Sequence, residues 1–136
     1  KTDHDIRKML TNSAMRNFLN ARHVFQIDGN LGAAAGIAEC LIQSHIALHF
    51  LPALPTSWKN GRANGLIARG GHEIDLEWKD GQLVYAVVRP KFNGPVEVVG
   101  DAIRITCEEK PVLFDKTDIG FVFNGEEGKK YIIHAQ

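Results

Sequence analysis

Leu51-Pro52-Ala53-Leu54-Pro55-Thr56-Ser57-Trp58 divides this 136-residue chain into two parts of different character. The two prolines lack amide donors and push the residues before them toward extended backbone, so a helix cannot run through the stretch. Upstream of it, apolar residues recur with a helical period. Downstream, they alternate and are cut by turn residues. The expected fold class is therefore α + β in series: a helical pair over residues 1–50, then a small antiparallel β-sandwich over residues 51–136.

Moving upstream, residues 31–48 read as a strongly apolar helix, with Asn30 as its N-cap. Its polar positions are few: Glu39, Gln43, Ser44 and His45. A helix apolar around most of its circumference must be enclosed by other elements. A first helix is expected over residues 3–19, with Ile6, Leu10, Ala14 and Phe18 on one face and Thr2 or Asp3 as cap. It can cover only one side of the second, so further helical neighbours are expected.

Moving downstream, His72 to Trp78 alternates cleanly. Ile74, Leu76 and Trp78 share one face, and Glu73, Asp75 and Glu77 the other. Asp80-Gly81 is a hairpin turn signal, and residues 83–89 return as the partner strand. Pro90 and Asn93-Gly94-Pro95 end it. Shorter strands are expected at 96–99, 103–107, 112–114, 119–123 and 131–134.

Composition bounds the function. Apolar residues make up 44%, enough for a core, and 16 basic residues balance 16 acidic ones. No positive field exists to attract nucleic acid, and no apolar run is long enough to insert in a membrane. The chain opens on Lys1 with no signal segment, which reads as a portion of something longer. Cys40 and Cys107 do not make a disulfide framework and read as two free thiols.

Asp28 is the leading candidate for chemistry. It lies in Phe25-Gln26-Ile27-Asp28-Gly29-Asn30-Leu31-Gly32, at the mouth of the second helix. Asp-Gly-Asn is also ordinary turn chemistry. Against that, Phe25, Ile27 and Leu31 would leave the carboxylate poorly hydrated if the turn is enclosed, a combination typical of active sites. Gly32 to Gly36 allow close approach of a backbone or ligand but form no phosphate cradle. His45 and His49 have the spacing of two metal ligands on one helix face, yet no third ligand is indicated, and no metal or other cofactor is expected. The Glu73, Asp75, Glu77 row reads as a solvated strand face rather than a calcium site. Trp78 reads as core, while Trp58 and Tyr85 remain open to a role in stacking on sugar rings.

Several phrases occur in a specific order: Phe25-Gln-Ile-Asp-Gly-Asn30, Ala35-Gly-Ile-Ala-Glu39, Gln43-Ser-His45, Leu51-Pro-Ala-Leu-Pro55, Gly65-Leu-Ile-Ala-Arg-Gly-Gly71 and Glu77-Trp-Lys-Asp-Gly81. From about Asn17 to the end, the chain resembles the C-terminal portion of glycoside hydrolase family 95, the inverting α-L-fucosidases. The resemblance implies that residues 1–50 are terminal helices of an (α/α)6 catalytic barrel and residues 51–136 a C-terminal β domain. It implies that Asp28 is the base-side catalytic carboxylate, polarising asparagines that hold the attacking water. A glutamic acid upstream would protonate the leaving oxygen. Gln26 and Asn30, which flank Asp28, are the matching substrate-binding candidates. The implied partners are a glycan ending in an α-L-fucosyl or similar residue and the rest of the barrel, in a secreted or periplasmic setting.

The chain departs from the family in places. His-Pro-Pro is absent before Phe25, Leu31 stands for Phe, and Ala33-Ala34 stand for Gly or Thr. The alternative class is a noncatalytic β module with a helical arm for carbohydrate binding or protein interaction. Trp58 and Tyr85 exposed in a shallow groove would mark that class.

Overall fold

The computed structural model of the chain describes residues 1–13 and 27–135. Helix α1 spans Thr2–Ser13. Asp3 and Asp5 lie in its first turn, where carboxylates complement the helix dipole. The Arg7 guanidinium reaches back one turn to the Asp3 carboxylate at 3.1 Å. The expected continuation of this helix over residues 14–19 lies outside the described residues.

Helix α2 spans Ile27–Leu41. Two expectations about it are corrected. Asn30 lies inside its first turns and is not the N-cap; the helix also takes in Asp28 and Gly29, with the Asp28 carboxylate in the first turn where the dipole favours it. The helix also stops at Leu41 rather than running to residue 48. Strands β1 (Ile42–Gln43) and β2 (His49–Phe50) pair antiparallel instead. A short apolar run fits either helix or strand, and here non-local partners decide. Leu48 bridges Val98: its amide donates to the Glu97 carbonyl at 2.9 Å, and its own carbonyl accepts from the Val99 amide at 2.8 Å.

A helix end leaves carbonyls without intrahelical partners. In α2 the Leu41 carbonyl accepts from the Leu51 amide at 2.7 Å and the Cys40 carbonyl from the Ala53 amide at 3.3 Å. The proline-containing connector thus caps α2 from beyond β1 and β2. Of the whole helix, only Cys40 and Leu41 are buried.

The β region contains β3 (Gly61–Ile67), β4 (Glu73–Lys79), β5 (Gln82–Arg89), β6 (Gly94–Val99), β7 (Arg104–Cys107), β8 (Lys110–Val112), β9 (Asp115–Lys116), β10 (Gly120–Gly125) and β11 (Tyr131–His134). A six-stranded sheet has the order β3-β4-β5-β11-β7-β8, and a three-stranded sheet the order β6-β10-β9; every pair within them is antiparallel. The expected hairpin joins β4 to β5. Asp80 and Gly81 both have positive φ, 52° and 80°, the backbone of a two-residue turn matched to strand twist.

The core lies between the two sheets. Ile74, Leu76, Ala86, Val88, Ile105 and Ile133 from the larger sheet meet Val96, Val98, Phe121 and Phe123 from the smaller. Rings of Phe123 and Tyr131 sit 5.0 Å apart across the layers, and those of Phe114 and Phe121 5.3 Å apart. Leu41, Ile42 and Leu48 join the same core. The end of α2 is therefore anchored in the sandwich, as the period-2 and period-3.6 patterns meeting at this junction require.

Candidate active site

Asp28 sits in the first turn of α2 and is exposed. Its apolar neighbours Ile27 and Leu31 are 52% and 65% exposed. Phe25 lies outside the described residues, and on the described side the carboxylate is open rather than enclosed. Asn30 is half-buried on the same turn. Gln26 lies outside the described residues. An ionised carboxylate is acceptor-only, so at this position it can orient N–H donors or take a proton from a hydrogen-bonded group.

Beside this turn, α1 and α2 enclose a cleft of about 420 Å3. Ile6 and Met9 line one wall and Gly32, Gly36, Ile37 and Cys40 the other. A Cβ on Gly32 or Gly36 would meet nothing within 4 Å. The small-residue run from Gly32 to Gly36 is the signal for this open space. The Cys40 thiol donates to the Gly36 carbonyl at 3.2 Å, and burial pushes its pKa up. It is a protonated packing group, not an activated nucleophile.

The paired-histidine reading fails because its helix does. Residue 45 follows β1 and His49 lies in β2, so the two do not share a helix face. His45 instead lies between an acid and a base. Its Nε2 faces the Glu39 carboxylate at 3.3 Å and its Nδ1 faces Arg69 Nη1 at 2.7 Å. A guanidinium can only donate, so Nδ1 accepts and Nε2 carries the proton toward Glu39. Among the described residues, no group of three or more His, Cys, Asp or Glu is arranged to hold a metal ion.

The acidic row on β4 is engaged by protein partners. Arg89 on β5 donates to Glu73 at 3.0 Å and to Asp75 at 2.8 Å, and the Gly65 amide donates to Asp75 at 2.9 Å. Partial burial raises the Asp75 pKa, but the Arg89 and Gly65 hydrogen bonds outweigh it and hold the carboxyl below its ordinary value. The Tyr85 hydroxyl donates to Glu77 at 2.8 Å, which raises the Tyr85 pKa. Trp58 packs against the core, and its carbonyl accepts from Trp78 Nε1 at 2.8 Å. Trp58 and Tyr85 are both half-buried. Sequence reasoning missed Arg89, whose partners lie on a neighbouring strand and have no local signature.

The plan of the chain is a carboxylate on an exposed helix turn, carried by a helix whose end is rooted in a two-sheet β region. Comparison with known proteins gives that plan its class, the glycoside hydrolases. Residues 1–41 match the glycosyl hydrolase family 95 catalytic domain, and residues 43–133 match the glycoside hydrolase family 95 C-terminal domain. The chain belongs to glycoside hydrolase family 95. It is also similar to alpha-L-fucosidase 2 of Arabidopsis thaliana, being 50% identical over 70 residues, which is 50% of this chain. The matched stretch spans 8% of that relative's length.

Proposed function

We propose that this chain is the C-terminal portion of a glycosidase that cleaves terminal α-L-fucosyl or similar residues from glycans with inversion. Residues 1–50 would supply terminal helices of the (α/α)6 catalytic barrel and residues 51–136 its C-terminal β domain. Asp28 would serve as the base-side carboxylate, with Gln26 and Asn30 contacting substrate. The sugar class rests on the similarity to a protein named for α-L-fucosidase activity.

The observation that carries the base role is the setting of Asp28. It stands in the first turn of a helix whose neighbouring apolar side chains, Ile27 and Leu31, are mostly exposed. Further barrel helices packed there would enclose the carboxylate on a low-dielectric wall, where its hydrogen bonds gain strength. Inverting hydrolysis needs a water between base and sugar, with the acid roughly 6.5–9.5 Å away on the other face. The acid and the water-holding asparagines would come from the preceding barrel sequence.

The test is hydrolysis of an aryl α-L-fucoside by the full-length parent protein, wild type beside Asp28→Asn. A loss of about 10²–10⁴-fold in kcat in a folded variant supports the base role. Equal rates reduce Asp28 to a turn residue. Release of β-L-fucose as the first product, seen by proton NMR, supports inversion; the α anomer overturns it.

A further inference from the structure

Helix α2 is held at one end. Cys40 and Leu41 are its buried residues, with Leu41 packed in the sandwich core, and Glu39, His45 and Arg69 add a polar contact on that end. Arg69 sits in the turn between β3 and β4, outside the helical region altogether. Its backbone amide donates to the Ser44 hydroxyl at 2.9 Å, which locks the turn against the segment after β1. Its guanidinium donates to His45 Nδ1 at 2.7 Å, and His45 Nε2 passes the contact to the Glu39 carboxylate on the last turn of α2 at 3.3 Å. The Gln43 amide nitrogen donates to the Glu39 carbonyl at 3.4 Å, so both the side chain and the backbone of Glu39 are engaged.

We infer that Arg69 is a positioning residue for Asp28, acting through His45 and Glu39 to set the angle of α2 on the β domain. This rests on the base role proposed for Asp28. The physical case is a lever. Glu39 and Asp28 are eleven residues apart, about 16 Å along a helix, so a tilt of about 5° at Glu39 carries Asp28 about 1.4 Å. A misplacement of about 1 Å at a reacting group can cost on the order of a hundredfold in rate. Glu39, His45 and Arg69 are linked in series on the surface, which adds a directional side-chain contact to the backbone bonds at Cys40 and Leu41.

The test uses the full-length parent protein with Arg69→Ala, Arg69→Lys and His45→Leu. Turnover of an aryl α-L-fucoside and amide hydrogen exchange over residues 27–41 are both measured. The expected result is a kcat at least tenfold lower in Arg69→Ala and His45→Leu with KM within about twofold, and substantial recovery in Arg69→Lys, which keeps a cationic donor. Combining Arg69→Ala with His45→Leu should cost little more than either alone, because one relay is broken once. Amides of residues 27–41 should exchange faster in both single variants. Unchanged kcat in folded Arg69→Ala, beside a normal loss in Asp28→Asn, overturns the inference while the base role stands. If the wild-type parent turns over no fucoside, or Asp28→Asn is fully active, the base role fails, and with it the positioning of a catalytic group. Hydrogen exchange then separates the clasp itself: faster exchange keeps Arg69 as the anchor of α2, and unchanged exchange removes that as well.

Discussion

Trp78 Nε1 donates to the carbonyl oxygen of Trp58 at 2.8 Å, tying the C-terminal end of β4 to the connector between β2 and β3. Both residues lie downstream of Leu51, so the bond fixes the connector to the larger sheet. Trp78 is nearly buried and Trp58 packs against the same core.

Replacing Trp78 with Phe keeps an aromatic ring but leaves the Trp58 carbonyl without this donor. The expected loss is about 1–3 kcal/mol for the unpaired group plus part of the lost volume. Trp78→Ala should cost about 3–5 kcal/mol. Urea denaturation followed by tryptophan emission measures both, and a cost below half a kcal/mol for Trp78→Phe would show that the bond is idle.

Two glycines test how close the backbone packs. A Cβ on Gly61 would come within 2.4 Å of the Trp78 ring, while one on Gly120 would come within 2.0 Å of the Val98 carbonyl oxygen. The Trp78 ring can shift only by straining its bond to the Trp58 carbonyl, and the paired backbone at Val98 has less freedom still. Gly61→Ala should destabilise by about 1–3 kcal/mol as an overpacked site, and Gly120→Ala by more, with β6 and β10 forced apart. Chemical denaturation of the two variants checks the order, and the reverse order would contradict it.

Arg89 contributes to the acid limb of stability. The Asp75 carboxyl is held below its ordinary value in the folded state, so it binds fewer protons than the unfolded chain does. Its contribution is fully present above the unfolded carboxylate value of about 4 and is lost as pH falls through the lower folded value. Arg89→Met should therefore lower stability at pH 7 and flatten the fall below about pH 4. Denaturation midpoints at pH 7, 4 and 3 measure it; parallel curves for wild type and variant would show that Asp75 gains nothing from Arg89.

On the proposed reading, this chain alone should not hydrolyse an aryl α-L-fucoside, because the acid partner of Asp28 belongs to the preceding barrel sequence. Acid and base act as a unit, and either alone retains little rate. A discontinuous assay of the isolated chain with the parent protein as control settles it; steady turnover by the chain would place the acid within these 136 residues.

Local chemistry made the β4–β5 hairpin legible. Alternation from Ile74 to Trp78 and the Asp80-Gly81 turn act within a few residues, so the pattern and the structure agree. The family membership was legible too, because ordered phrases such as Leu51-Pro-Ala-Leu-Pro55 survive as linear strings. The cap of α2 was not. Its start needed the balance of a first-turn carboxylate against Asn30. Its end depended on Leu48 finding the β6 backbone fifty residues later.

The sequence by itself determined the order of helical and strand segments, the main hairpin and the family, since periodicity, turn residues and motif order are properties of neighbouring residues. Tertiary structure alone decided that α2 ends at Leu41, that His45 joins Glu39 to Arg69 instead of pairing with His49, and that Arg89 holds the acidic row. Each of these contacts joins groups whose partners are set by strand register and packing, and the free energy that selects them is gained only once distant segments meet.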